Sequence, residues 1–406
     1  MSQPPPSESS AVSTGGIRLG RLAGVEIRVD WSLLIIFALV TYSLGAGVFP
    51  DWHPGWGPAL TWSVALGAAV LFFASILAHE LSHALVARRM GIPVRAITLF
   101  LFGGMAHMEG EPPSPKAEFW MAIVGPLTSF AIGFGAVMAG TALAGSALEP
   151  FSSGQPDPEQ LREALAGAGP LPTLLLWLGP INVLLGAFNL VPGFPLDGGR
   201  VLRSIIWWAT GDLERATRWA SGVGRGFAWM LMGLGVLNVF HGDLSGGLWL
   251  VLIGWFLNNA ARASYAQLMT RRALQDVPVR RVMWTAAERV APDLSLEELV
   301  REHLMPGDQV AFPVEADGRL VGLVVFDDVR RVPQSQWAQT TVGQVMTPTE
   351  KLITIGPDAG AEQALSELAR GDVNQLPVTE GDHLEGMVRR RDLVRWIALS
   401  QQQRAA

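Results

Sequence analysis

Two histidines four residues apart, with a glutamate beside the first, stand in the segment ILAHELSHALVARRMG at 76–91. On a helix, His79 and His83 project from the same face one turn apart. Neutral imidazoles at that spacing can share one zinc ion while Glu80 faces the bound water. With seven histidines in 406 residues, such a string is expected far less than once by chance. A histidine pair on a solvated helix face is the bland alternative. It fails because the residues around the pair, 71–78 and 84–87, are almost all apolar. Ionisable groups inside an apolar span point to function.

A catalytic zinc site wants three protein ligands and one water. The segment FNLVPGFPLDGGR at 188–200 offers the third. Pro192 and Pro195 break the helix after Asn189, and Asp197 stands between two apolar stretches. Alone, Asp197 reads as an N-cap for a helix starting near Arg200. Beside an incomplete two-histidine site, it reads as the third ligand. His107 and Glu109 compete for that place, or line the substrate's access. His53, His241, His303 and His383 have no partner at ligand spacing and read as ordinary surface or core histidines.

The elements that must position these groups lie in a membrane. Half the chain (49%) is hydrophobic and only 16% is charged, and the mean hydropathy is +0.30. Soluble chains carry about 25% charged residues, so the composition argues against a wholly soluble or disordered chain. A net charge of −6 argues against nucleic acid as a partner, and zero cysteines leave any metal to histidines and carboxylates. Six spans are expected near 31–50, 58–90, 117–145, 170–191, 223–241 and 246–264, the last two short. Segment 94–110, with β-branched residues and a Gly-Gly break, reads as a hairpin. Arginines 18, 21, 28, 88, 89, 95, 200, 203, 215, 218, 225, 262, 271 and 272 gather in every second connection, all on one side of the membrane, while the opposite loops hold only Arg162. That bias puts both termini in the cytoplasm of a multi-pass cell-membrane protein. Residues 1–16, Pro/Ser/Gly-rich, read as a disordered tail without a signal peptide. A membrane domain follows over 17–265, then a linker over 266–278, an α/β region, and a C-terminal tail over 399–406.

The motifs HELSH (79–83), FGG (102–104), VGP (124–126) and NLVPGFPLDGGR (189–200), in that order, resemble the site-2 protease family of intramembrane zinc metalloproteases. The resemblance implies that His79, His83 and Asp197 bind one Zn2+ and that Glu80 is the general base. It further implies that the strand with Gly103 and Gly104 lies beside an extended substrate, with Asn189 a polar group near the site. The family often has Asn shortly after its Gly-Pro, where this chain reads VGPLTSF with Thr128 and Ser129.

Beyond the membrane part the chain repeats itself: 279–304 parallels 342–369, FPV (312–314) parallels LPV (376–378), and GLVVFDD (322–328) parallels GMVRRRD (386–392). This resembles a tandem pair of CBS domains, 279–335 and 342–398. The resemblance implies adenosine nucleotide binding, with Asp328 and Asp392 holding ribose; the hydroxyl positions three residues earlier are Val325 and Arg389. A module for homodimerisation or substrate contact is the alternative. The fold expected is a polytopic α-helical membrane domain followed by a soluble α/β CBS pair. The function expected is zinc-dependent hydrolysis of peptide bonds in transmembrane protein substrates within the lipid, modulated by the CBS pair. A CBS-regulated transporter or channel is the rival, and an inactive membrane scaffold ranks third.

Overall fold

The structure is a computed structural model that describes residues 16–145 and 166–405, apart from 102, 109 and 111. It divides into two compact units, 13–265 and 266–406. In the first, β1 (Gly16–Leu22) and β2 (Val25–Asp30) form a hairpin that leads into α1 (Trp31–Trp52), whose last turns are opened by a π-turn at Leu44–Val48. Then come α2 (Pro58–Arg89), β3 (Val94–Phe100), β4 (Gly103–Met108), α3 (Pro115–Ala144), α4 (Pro170–Asn189), α5 (Asp197–Thr210), α6 (Leu213–Phe240) and α7 (Leu244–Leu274). Six helices, α1–α4, α6 and α7, are long and apolar enough to cross a membrane.

Four of the six spans fall where the sequence puts them. The last two are longer than expected, at 28 and 31 residues. Arg215, Arg218 and Arg225 are therefore inside α6, and Arg262, Arg271 and Arg272 inside α7, rather than in flanking loops. The segments that extend them, LERATRWAS and AQLMTRRAL, are rich in helix formers and contain no Gly or Pro stop. For the same reason residues 266–274 of the expected linker are helical. At the other end, helix Arg390–Ala405 runs through most of the expected C-terminal tail. Residues 1–15 of the expected N-terminal tail lie outside the described residues, and Gly16 already belongs to β1.

The strands form one sheet in the order β1-β2-β3-β4, with β2 and β3 parallel and the other pairs antiparallel. In β2 strict alternation, VEIRVD, sends Val25, Ile27 and Val29 to a buried face and the charged residues outward. That face joins Ile97 and Leu99 of β3 and packs on Phe73, Ile76, Ala84 and Ala87 of α2. The sheet thus lies along the stretch of α2 that carries the histidines, and β4 is its edge.

In the second unit the two halves of the repeat build matching hairpins. Phe312 pairs with Val324 between β5 (Ala311–Ala316) and β6 (Arg319–Val325). Short β7 (Thr347–Pro348) adds to β6. Leu376 pairs with Val388 between β8 (Gln375–Glu380) and β9 (His383–Arg389). Register shifts fall at equivalent places, Val314/Glu315 and Val378/Thr379. The opening segment of each half pairs with the sheet of the other: Trp284 bridges Met387, while Thr347 pairs with Leu323.

Candidate metal centre

Helix α2 starts on Pro58 and ends with Arg88 and Arg89 in its last turn, where cations suit the carbonyl end of the helix. Counting back from Arg89 at 1.5 Å per residue, Glu80 sits about 14 Å inside that end. His79 and His83 are each 4% exposed. Their Nε2 atoms are 3.2 Å apart, and Oδ2 of Asp197 lies 3.0 Å from the first and 3.2 Å from the second. Asp197 arrives from the break after α4. There Phe194 N–H donates to the Ala220 carbonyl of α6, seating the loop, and the chain turns into α5 with Leu196 as its cap. Asp197 is therefore the first residue of α5 and not its N-cap, and its carboxylate is aimed at the imidazoles.

Helix α3 backs the pair. The Ser129 hydroxyl is 2.8 Å from Nδ1 of His79, and the Met121 carbonyl accepts from Nδ1–H of His83. A carbonyl can only accept, so the His83 proton is on Nδ1 and its Nε2 offers a lone pair to the centre. Between these two contacts runs Gly125. A Cβ there would lie 2.1 Å from Nε2 of His83 and 2.6 Å from Nε2 of His79, so only glycine lets α3 come this close. Gly104 of β4 is pressed against the site from the other side, where a Cβ would lie 2.3 Å from Cγ of Glu80. Glu80 itself is half-buried.

The three converging atoms fit a divalent cation. A tetrahedral ion with bonds of 2.0–2.1 Å sets its ligand atoms about 3.3 Å apart, close to the separations here. The set is two imidazole nitrogens and one carboxylate oxygen, all from groups that bind zinc well. With the His83 proton on Nδ1, its Nε2 lone pair faces a carboxylate oxygen of Asp197, an opposition that a cation between them would relieve. Among the described residues, His79, His83 and Asp197 are the only group of three or more such side chains within metal-ligand reach.

Other residues singled out from the sequence stand elsewhere. Asn189 donates from Nδ2 to the Leu185 carbonyl of its own helix. His107 is exposed on β4, and Glu109 lies outside the described residues. His53 is buried, stacked on Trp56 with centroids 3.8 Å apart and 2.8 Å from the Thr173 hydroxyl. His241 donates to the Leu237 carbonyl, His383 donates to the Gly318 carbonyl, and His303 pairs with Glu288. In the second unit, Asp328 accepts from the Val325 N–H at 3.1 Å. Asp392 is gripped by Arg389 at 2.5 and 3.0 Å, and that guanidinium lies 4.0 Å over the Trp284 ring. A cavity of about 420 Å³ opens beside it, lined by Trp284, Gln309, Asn374, Arg389 and Arg390 among others.

Two contacts at the centre have no role in the sequence reading: Ser129, which it names only as standing near the family's Asn position, and the Met121 carbonyl. For Ser129 a signal exists, since it follows Gly125 by one helical turn. The Met121 contact is made by backbone and leaves no mark on residue type.

Known proteins resemble this chain along most of its length. Residues 67–232 match Peptidase family M50, and residues 279–335 and 342–399 each match the CBS domain. Rip3 of Mycobacterium tuberculosis, named as a zinc metalloprotease, is 37% identical over 390 residues, which is 94% of this chain and 92% of the relative. The protein sll0528 of Synechocystis, named likewise, is 34% identical over 87% of this chain and 86% of its own. A solved site-2 protease from Methanocaldococcus jannaschii is 27% identical with a TM-score of 0.41, covering 62% of this chain and 95% of that one. The chain belongs to peptidase family M50, the site-2 proteases, as a multi-pass membrane zinc metalloprotease that carries two CBS domains.

Proposed function

We propose that His79, His83 and Asp197 hold the zinc of this protease and that Glu80 is its general base. The observation that carries this reading is the mutual approach of the three side-chain donor atoms, 3.0–3.2 Å. When bound, zinc supplies a water of lowered pKa and polarises the scissile carbonyl. Glu80, half-buried at the mouth of the pair, takes the proton of the attacking water and passes it to the leaving amine. Ser129 and the Met121 carbonyl hold both rings in orientation throughout.

The substrate on this reading is a transmembrane segment of another protein. In lipid its peptide groups are bonded within its own helix and closed to attack. It must unwind, and β4, at the edge of its sheet beside Glu80, offers an extended segment a strand to join. Helix-breaking residues in the substrate favour cleavage for that reason. The arginine bias supports a cytoplasmic location for both termini and the CBS pair, with cytoplasmic water reaching the metal centre. The CBS pair modulates cleavage through an adenosine nucleotide, or through pairing of two copies. The cavity beside Trp284 and Arg389 supports the nucleotide, while the ion pair already formed by Asp392 weighs against a ribose contact at that acid.

Metal analysis and cleavage of a single-span reporter test the assignment. Wild type is expected to carry one zinc and to cleave. His79→Ala and Asp197→Ala are expected to lose both, and Glu80→Gln to keep zinc while losing cleavage. Proteolysis retained by Glu80→Gln removes the base from the mechanism.

A further inference from the structure

Behind the metal centre lies an ion pair that neither the ligand set nor the base accounts for. Glu118, in the first turn of α3, is fully buried at 0% exposure, and Arg203 of α5 is 8% exposed. Nε of Arg203 donates to Oε1 of Glu118 at 2.6 Å, with Nε of Arg200 4.0 Å from the same oxygen. The Arg203 guanidinium also lies 5.2 Å from the centroid of Phe194, in the loop that delivers Asp197.

The two helices joined by this pair hold opposite sides of the site. Helix α3 fixes the imidazoles through Met121 and Ser129, which follow Glu118 along it. Helix α5 carries the carboxylate, six residues before Arg203. The distance from Asp197 to the imidazoles is therefore set by how α3 and α5 dock. Apolar contacts define such docking loosely, because side chains of similar volume repack with little loss. Here two nitrogens of the planar Arg203 guanidinium, Nε and Nη2, converge on Oε1 of Glu118, a charge-assisted contact that favours one orientation of the two helices. A buried ion pair is a poor device for stability, since desolvation offsets most of its attraction.

The geometry points to Glu118 and Arg203 as positioning residues that set Asp197 against His79 and His83 and so fix the affinity for metal. This rests on the reading of those three residues as ligands. The pair touches no reacting atom and acts through the helix it locks.

The test uses the full-length protein, reconstituted in nanodiscs and stripped by a chelator. Zinc affinity is measured by competition with a chromogenic chelator, and the coordination geometry by the visible absorption of the Co2+-loaded protein. Arg203→Lys keeps the charge but loses the pair of fixed guanidinium nitrogens, and Glu118→Gln keeps the shape but loses the charge. Each is expected to bind zinc about 10–100-fold more weakly and to shift the Co2+ bands, with helix content and elution unchanged. Leu178→Ala, a core truncation in α4, controls for loosening of the fold and is expected to leave affinity within about two-fold of wild type. Wild-type affinity and Co2+ spectrum in the two folded pair variants overturn the inference, as does an equal loss in Leu178→Ala. If His79→Ala and Asp197→Ala retain zinc, the ligand reading itself fails. If they lose it while the pair variants do not, only the positioning role fails.

Discussion

At the scale of single residues, the centre depends on one missing methyl group. A Cβ at position 125 would stand 2.1 Å from Nε2 of His83 and 2.6 Å from Nε2 of His79, closer than non-bonded carbon and nitrogen can come. Either α3 or the imidazoles must give way, and both are held by buried contacts. Gly125→Ala is therefore expected to lower zinc content in the purified protein to near that of His79→Ala, read by metal analysis. Ser129→Ala is a milder change, because the ring keeps its place and loses only the partner at Nδ1. An affinity loss of about 10–100-fold, read by chelator competition, is expected; an unchanged affinity would mean that packing alone orients His79. HELSH and Asp197 are legible in the sequence as candidate ligands because metal binding asks for particular residue types and, for the two histidines, a particular spacing. The supports are less so. A hydroxyl, a carbonyl and an absent side chain serve many purposes, and only the fold says which one applies here.

At the scale of elements, the proposed roles let a change in β4 separate binding of metal from use of it. Gly104 lets the strand lie against Glu80, and the three heavy atoms nearest a Cβ there all belong to Glu80 rather than to His79, His83 or Asp197. Gly104→Ala is expected to push the strand or the carboxylate aside by a fraction of an ångström to an ångström. Such displacement can cost about 100-fold in rate. The expected result is a comparable fall in kcat with zinc content retained, the reverse of Gly125→Ala. A variant that loses zinc instead would show that β4 supports the metal and not the base. The hairpin β3–β4 is readable from β-branched residues and a Gly-Gly break. Strands β1 and β2 are not read as such, although VEIRVD alternates strictly, because arginines at 18, 21 and 28 read first as the charged flank of a span. The same residues serve both purposes. Helices α6 and α7 outrun their apolar stretches because hydropathy marks the length of chain that suits lipid, not where a helix stops.

At the scale of the whole molecule, the repeat of the second unit is two halves that cannot be separated cleanly. Each half lends its opening segment to the other's sheet, through Trp284 at Met387 and Thr347 at Leu323. One hydrophobic cluster spans both: Ala287, Ala311, Leu320 and Leu323 from the first half, Leu384 and Met387 from the second. Neither half can cover its apolar face alone. Met387 is fully buried, so Met387→Ala leaves a cavity in the shared cluster and should cost about 2–5 kcal/mol. Because that cluster is common property, the loss is expected in both halves. Limited proteolysis of the full-length variant should accelerate within 279–335 as well as within 342–399. Acceleration confined to the second stretch would mean that the halves unfold independently and that the exchanged segments couple them weakly. The metal centre tests the reach of the change. If metal analysis finds zinc undiminished in Met387→Ala, the protease part keeps its ligand geometry while the CBS pair loosens, as expected of units with separate cores.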